Sequence, residues 1–182
     1  KAKKFIDLMQ RYEQKVIESG TDFSTNPSPG NIKDGLITDA MKSAGAAKKG
    51  GTSPVVDVLD YGEYLQNSGL NLLCTPGNDV ESTTAMAGSG ANLIIFTTGL
   101  GTPTGNPITP VIKISSNTSV FKKMRDIIDF NSGSIVEGKQ TLESLSSQLL
   151  DYIIQVASGE VQTKSMENRQ YDFLPWKRDI SL

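Results

Sequence analysis

Residues 92–117 read NLIIFTTGLGTPTGNPITPVIKISSN, in which two short apolar runs flank a segment rich in glycine and proline. The first run, residues 93–96, is continuous and bounded by polar and glycine residues, which is the pattern of a strand buried on both faces. The second run, residues 111–114, predicts another strand. Together they place a buried β-sheet at the centre of the chain.

Strands and helices alternate on either side of this segment. Short apolar runs predict further strands over residues 55–59, where the start of a buried turn is the alternative, and over 70–73, with an extended piece at 127–130. Apolar spacing predicts helices over residues 5–19, 38–48, 80–88, 117–126 and 141–158, and Thr38 is placed to cap the second of them. Pro27 and Pro29 predict a non-helical loop over 21–35. The order predicts an α/β fold, a largely parallel sheet flanked by helices in a Rossmann-like layered architecture.

The length of 182 residues suits one domain with a single core. Helices and the loop occupy residues 1–50, and the α/β core is expected over 51–158. Residues 159–182 are expected to dock as a C-terminal arm, because Phe173, Leu174 and Trp176 are apolar. The chain opens on Lys1 in helical periodicity, and we expect it to be a piece of a longer protein.

The composition excludes several kinds of chemistry. The chain has no histidine, which rules out within it a Ser-His-Asp triad, a Cys-His pair, an HExxH zinc site and a histidine base. Cys74 is the only cysteine, so no internal disulfide can form, and a reducing, cytoplasmic setting is the expectation. A net charge of −2 without a basic stripe argues against nucleic acid, and the lack of a long apolar run argues against a membrane as partner.

The glycines that follow the first central strand resemble a phosphate-binding loop. Gly99, Gly101 and Gly105 have the necessary flexibility, but a dinucleotide fingerprint must open a helix whose N-terminus holds the pyrophosphate. Pro103 and Pro107 prevent a helix from starting promptly. The architecture is therefore predicted to lack a dinucleotide site.

Polar residues follow each of four predicted strands, in loops that begin at Thr75, Thr97, Ser115 and Asn131. The carboxyl ends of parallel strands share one edge of a sheet, so these loops are expected to converge on one crevice. Hydroxyls, amides and backbone N–H groups there suit a polyhydroxylated, anionic small molecule. For any single loop the alternative is that these residues form turns and helix caps.

The loop sequences, in their order along the chain, resemble the C-terminal part of the altronate and galactarate dehydratase family. Members of that family are longer, so the chain is similar to their C-terminal domain alone, and the resemblance covers essentially all of it. The motifs that carry the resemblance are NPSPGN at 26–31, KSAG at 42–45, GGTSP at 50–54, TPGND at 75–79, GAN at 90–92, FTTG at 96–99, NPITPVIK at 106–113, DFNSG at 129–133 and PW at 175–176.

The resemblance implies loss of water from a sugar acid to give a 2-keto-3-deoxy acid, with a divalent metal such as Fe²⁺ or Mn²⁺ as cofactor and metal ligands that the sequence does not identify. Such a step needs a base for the proton beside the carboxylate, a cation that stabilises the enediolate, and an acid for the departing hydroxyl. The predicted catalytic residues are Lys42, Asp57, Asp79 and Lys113, with Asp129 as a further titratable candidate. The predicted substrate-binding residues are Asn26, Asn31, Ser43, Thr52, Thr75, Asn78, Ser82, Thr97, Thr98, Gly99, Asn117 and Asn131.

Three positions depart from the family pattern. Met41, Cys74 and Leu100 stand where the family commonly has an acidic residue, an aspartate and an arginine, and leucine cannot imitate an arginine that clamps a carboxylate. Leu100 is expected to line the crevice as an apolar wall, with solvent exposure as the alternative. Two hypotheses follow: a dehydratase-like lyase, with a sulfolactate sulfo-lyase as a related enzyme, or a homologue that binds a sugar acid or a partner without turnover.

The expected partners are a sugar acid and the N-terminal part of the same parent protein, with a homo-oligomer as a further option. The isolated chain is expected not to dehydrate altronate or galactarate at a measurable rate, because it lacks histidine and carries the three substitutions.

Overall fold

The computed structural model describes residues 1–22, 27, 29–33, 36 and 38–178. The chain divides into two compact units. The first comprises Lys1–Asn78 together with the chain from Trp176 onward, and the second comprises Asp79–Pro175.

The first unit contains three helices and a two-stranded parallel sheet. The helices are α1 (Ala2–Glu18), α2 (Pro29–Lys33) and α3 (Asp39–Lys48), and the strands are β1 (Val55–Leu59) and β2 (Leu70–Leu73). Helix α1 is amphipathic and buries Leu8 and Val16. The Thr38 side chain accepts a hydrogen bond from Met41 N–H and so caps α3, as its position before the helical pattern predicts.

Helix α2 contradicts the prediction of a wholly non-helical loop over residues 21–35. Pro29 is the first residue of α2, where proline is tolerated because the first N–H groups of a helix have no partner within the helix. The prolines therefore restrict where this short helix begins, rather than preventing it.

The second unit is built around a three-stranded parallel sheet in the order β3-β4-β5. Its elements in chain order are α4 (Asp79–Gly88), β3 (Ile94–Thr98), β4 (Val111–Ser115), α5 (Thr118–Lys123), β5 (Phe130–Asn131), α6 (Gly133–Val136), α7 (Leu142–Ala157) and α8 (Lys164–Glu167). All five residues of the central strand β4 are buried. Its Ile112 and Ile114 pack with Val156 of α7 to form the core of this unit.

The α/β class and the parallel pairing are thus confirmed, but the strands form two small sheets instead of one. Strand β2 pairs with β1, so the loop at Thr75 does not follow a strand of the three-stranded sheet. The prediction that all four polar loops share one sheet edge is therefore wrong. Apolar runs identify strands, but they do not encode which strands pair with each other.

Candidate functional site

The carboxyl edge of the three-stranded sheet brings together three of the four polar loops. Thr98, Ser115 and Asn131 end β3, β4 and β5, and they occupy matching positions in the two parallel ladders, with Thr98 opposite Ser115 and Ser115 opposite Asn131. The next residues of the chain at each strand end are polar or glycine. The edge therefore carries hydroxyl, amide and backbone groups side by side, as ligand sites of parallel sheets do.

Much of this polarity is satisfied within the edge itself. The Asn117 Oδ1 accepts hydrogen bonds from Ser119 N (2.8 Å) and Val120 N (3.2 Å), which caps α5. The Asn131 Oδ1 accepts from Gly133 N (3.0 Å), and its Nδ2 donates to Thr118 Oγ1 (3.2 Å). In this geometry Asn117 and Asn131 hold the loops in place, which is the cap role given above as the alternative.

The loop after β3 is shaped by a glycine and a threonine. The Thr98 Oγ1 accepts a hydrogen bond from Gly101 N (2.9 Å), and Gly101 has a φ of 91°, a conformation that favours glycine. A Cβ on Gly101 would also collide with the sulfur of Met124. Thr97 and Gly99, in contrast, are exposed residues at the same edge.

A buried polar cluster lies behind this loop. The Thr102 hydroxyl donates to Asp79 Oδ2 (2.9 Å), at the start of α4, and lies 2.9 Å from the Thr104 hydroxyl. Both threonines are buried, so these hydrogen bonds fix the segment that follows Gly101 against the helix. Asp79 is thereby engaged in loop structure, as is Ser82, whose hydroxyl donates to the Asp79 carbonyl (3.1 Å).

Lys113 holds the same segment in place through hydrogen bonds from its side chain. Its side chain is 0% exposed, and its Nζ donates to the carbonyls of Pro103 (3.1 Å) and Thr104 (3.3 Å) and to Gln170 Oε1 (3.4 Å). Burial lowers the pKa of Lys113, while the Asp129 and Asp172 carboxylates oppose that shift. Lys113 thus acts as a positioning residue for the loop in this geometry, and its predicted catalytic role stays a prediction.

Asp129 ties three elements of the second unit together. Its Oδ2 accepts from Lys113 N (2.7 Å) on β4, and its Oδ1 accepts from Lys164 N (2.6 Å) on α8 and from the Tyr152 hydroxyl (3.3 Å) on α7. Burial raises the pKa of Asp129 despite the two backbone N–H groups, and it also raises that of Tyr152. The carboxylate is fully engaged in holding strand and helices together.

The C-terminal segment also supports this loop, through contacts that the sequence pattern does not indicate. The Asp172 Oδ2 accepts from Gly105 N (3.2 Å), and a Cβ on Gly105 would collide with the Gln170 carbonyl oxygen. These partners are 65 or more positions apart in the chain, and no local pattern indicates their pairing. The NPITP motif, which begins at Asn106, directly follows this contact.

The remaining predicted residues belong to the first unit. Asp57 is tied locally, since its Oδ1 accepts from Val58 N (2.8 Å) and its Oδ2 from Asn67 Nδ2 (3.2 Å), and the Val58 N–H in particular lowers its pKa. Of the others, Lys42, Ser43, Thr52 and Asn78 are exposed, Thr75 is half-buried, Asn26 lies outside the described residues, and Asn31 is in α2 with a side chain that the structure does not describe.

The three departures from the family pattern lie in different surroundings. Leu100 is 47% exposed, and its place as an apolar wall of a crevice stays a prediction. Met41 is 52% exposed on α3. Cys74 is half-buried at the end of β2, and burial together with the nearby Asp60 raises the pKa of its thiol.

Within residues 1–22, 27, 29–33, 36 and 38–178, no three histidine, cysteine or acidic side chains come together in a way that could hold a metal ion. No helix in that part of the chain is long and apolar enough to cross a membrane.

Comparison with known proteins identifies the family. Residues 1–181 match the family model described as D-galactarate/altronate dehydratase, C-terminal. The chain is 40% identical to the altronate dehydratase of Bacillus subtilis over 158 residues, which cover 87% of the chain and 32% of that relative. It is 38% identical to the altronate dehydratase of Escherichia coli, with 98% of the chain and 36% of the relative covered.

The galactarate dehydratase (L-threo-forming) of Escherichia coli is 37% identical over 90% of the chain, which spans 31% of that relative's length. The chain thus spans about a third of the length of each of these three relatives. It belongs to the D-galactarate/altronate dehydratase family and corresponds to its C-terminal part.

Proposed function

We propose that this chain is the C-terminal domain of a hydro-lyase that removes water from a sugar acid of the altronate or galactarate type and forms a 2-keto-3-deoxy acid. The observation that carries the proposal is the family match over residues 1–181, together with dehydratase relatives at 37–40% identity. Because the chain spans only about a third of those relatives, the activity is proposed for the parent protein.

The carboxyl edge of the three-stranded sheet is the part of the chain that we propose to contact the sugar acid. Thr97 and Gly99 are exposed there, whereas Asn117 and Asn131 cap and bridge the neighbouring loops. A polyhydroxylated ligand is bound by several hydroxyl and backbone groups held in fixed positions, and the buried Lys113 and the half-buried Asp129 keep those positions fixed.

The dehydratase is favoured over a sulfo-lyase within the same group of relatives. The β subunit of (2R)-sulfolactate sulfo-lyase from Chromohalobacter salexigens is 31% identical over 92% of the chain, below each of the three dehydratases. A homologue without turnover is supported by no observation beyond the substitutions at Met41, Cys74 and Leu100, two of which are exposed.

We also propose that the parent protein uses a divalent metal, Fe²⁺ or Mn²⁺, as the resemblance implies. The described residues of this chain do not form a complete metal site. When bound, such an ion would stabilise the negative charge that develops on the enediolate. A cytoplasmic location, association with the N-terminal part of the parent and self-association belong to the same proposal.

The test is turnover by the full-length parent protein supplied with Fe²⁺ or Mn²⁺ under reducing conditions. D-altronate, D-galactarate and (2R)-sulfolactate are offered separately, and 2-keto-3-deoxy acid and sulfite are quantified. We expect the keto-deoxy product from altronate or galactarate and none above background from the 182-residue chain alone. Sulfite release from sulfolactate without dehydration, or no turnover of any acid by metal-loaded parent protein, would overturn the proposal.

A further inference from the structure

A cavity with cationic and apolar walls lies in the first unit, between α1 and the chain that follows Pro175. Its volume is about 90 Å³, and Cys74, which directly follows β2, belongs to its lining. The lining cations are Arg11 and Lys15 of α1 and Arg178. This cavity is distinct from the sheet edge described above, since none of its residues belongs to the second unit.

The charges around this cavity do not cancel. Arg11 Nη2 and Arg178 Nη1 both contact the same atom, Asp60 Oδ2, at 2.8 Å and 3.0 Å. Lys15 Nζ lies 3.6 Å from Glu18 Oε2, so three cations face two carboxylates. A guanidinium carries five N–H donors in a planar fork, and the contact with Asp60 uses one from each arginine. Among the described residues of this site the cations thus outnumber the carboxylates, and the guanidinium donors have a geometry that matches a carboxylate.

The rest of the lining is apolar and held in place by aromatic contacts. The Trp176 ring packs edge-on against Tyr12 and Tyr61, each with a centroid distance of 5.4 Å, and Trp176 N donates to the Tyr61 hydroxyl (2.9 Å). Leu8 completes this wall. Cys74 adds no negative charge at neutral pH, because burial and Asp60 raise the pKa of its thiol.

A second cavity continues the first along α1. Its volume is about 210 Å³, it shares Leu8, Tyr12 and Cys74 with the first cavity, and it is otherwise lined mainly by apolar side chains that include Phe5 and Leu72. A ligand with its anionic group at the arginines therefore has apolar walls against which to place its carbon skeleton.

We propose that this cavity binds a small organic carboxylate, with the carboxylate group on Arg11 and Arg178 and the carbon skeleton against Tyr12 and Trp176. A sugar acid and a short aliphatic acid share this chemistry. The site goes beyond the proposed dehydration, because binding here requires neither turnover nor the sheet edge.

Trp176 provides the readout, because it is the only tryptophan of the chain and lines the cavity. The 182-residue chain is titrated with galactarate, hexanoate and inorganic phosphate while tryptophan fluorescence is recorded at low and high salt. We expect a saturable change with at least one carboxylate, weaker at high salt because the guanidinium groups are exposed to screening. Tighter binding of galactarate identifies a sugar acid as the natural class of ligand, and tighter binding of hexanoate identifies an aliphatic acid.

Two variants test the residues. Arg11→Gln and Arg178→Gln should each weaken carboxylate binding about 10- to 100-fold, the loss expected for one charge-assisted hydrogen bond. Lys3→Gln removes one charge from the same helix outside the cavity and should bind like the parent chain. Circular dichroism verifies that each variant is folded. If one arginine variant fails to fold, the other still tests the proposal.

The proposal is overturned if neither carboxylate gives a saturable signal, if phosphate binds as tightly as the better carboxylate, or if both arginine variants bind like Lys3→Gln. These results say nothing against dehydration by the parent protein, which is measured by product formation. Conversely, an inactive parent protein whose chain still binds a carboxylate at Trp176 would overturn the dehydratase proposal alone.

Discussion

Replacing Lys113 by methionine tests whether a buried ammonium positions the loop that follows β3. The substitution keeps most of the apolar stem and removes the three donors that reach Pro103 O, Thr104 O and Gln170 Oε1. Only the hydrogen bond to Thr104 O is wholly buried, so water can replace the donor at the other two acceptors. The buried carbonyl is left without a partner in the variant.

The expected change in the free energy of unfolding is the balance of two opposed contributions. A buried acceptor that loses its donor costs about 1–3 kcal/mol, and removal of a buried charge recovers part of that cost. We therefore expect Lys113→Met to lower the free energy of unfolding by about 1–2 kcal/mol, measured by urea denaturation. Lys123→Met, at an exposed position of α5, should change stability by no more than about 0.5 kcal/mol.

The pH dependence gives an independent check on the same residue. Burial lowers the pKa of Lys113 below its ordinary value of 10.5, so the unfolded chain binds this proton more tightly than the folded chain does. Stability from this group therefore rises as the pH increases from the folded pKa towards 10.5. Lys113→Met lacks this contribution. The difference in free energy of unfolding between the parent chain and the variant should therefore increase as the pH becomes more alkaline. A variant as stable as the parent, with a gap that does not change with pH, would refute the positioning role.

Two further substitutions probe the loops of the second unit. Gly105→Ala places a Cβ against the Gln170 carbonyl and 2.9 Å from Ser165 Cβ, so urea unfolding should show a loss of about 1–3 kcal/mol, whereas Gly88→Ala, with open space around it, should not destabilise the chain. Equal stability of these two variants would mean that the segment at Gln170 moves freely. Asn117→Ala removes the cap of α5 and should cost about 0.5–2 kcal/mol in the same assay, and an unchanged midpoint would leave Asn117 available as a ligand residue.

Local pattern was sufficient to predict most individual elements. Residues 55–59 and 70–73 were predicted as strands and form β1 and β2 with the same ends, and the cap at Thr38 was predicted from its place before a helical pattern. These features depend on side chains within a few positions of each other, so the sequence carries them directly.

Strand pairing and loop support were not predictable in the same way. The partner of β2 is β1 and not β3, and Gly105 is held by Asp172 and Gln170 from a distant segment. Both outcomes depend on tertiary packing, which apolar periodicity does not encode. Lys113 illustrates the consequence for the candidate site: the family resemblance predicts a catalytic role for it, and in the structure its three acceptors engage it in positioning the loop.

The polar motifs of this family therefore contain two kinds of residue, and their hydrogen bonds separate them. Asn117 and Asn131 use their side-chain oxygens on backbone N–H groups, and Asp79 accepts from a buried threonine, so their substitution moves a loop. Thr97 and Gly99 are exposed at the same edge, and their substitution alters what the edge offers to a ligand. A change that abolishes activity in the parent protein can thus be assigned to binding only when the stability of the domain is unchanged. That criterion makes Thr97 a sharper probe of the proposed ligand contact than Asn117 or Asn131.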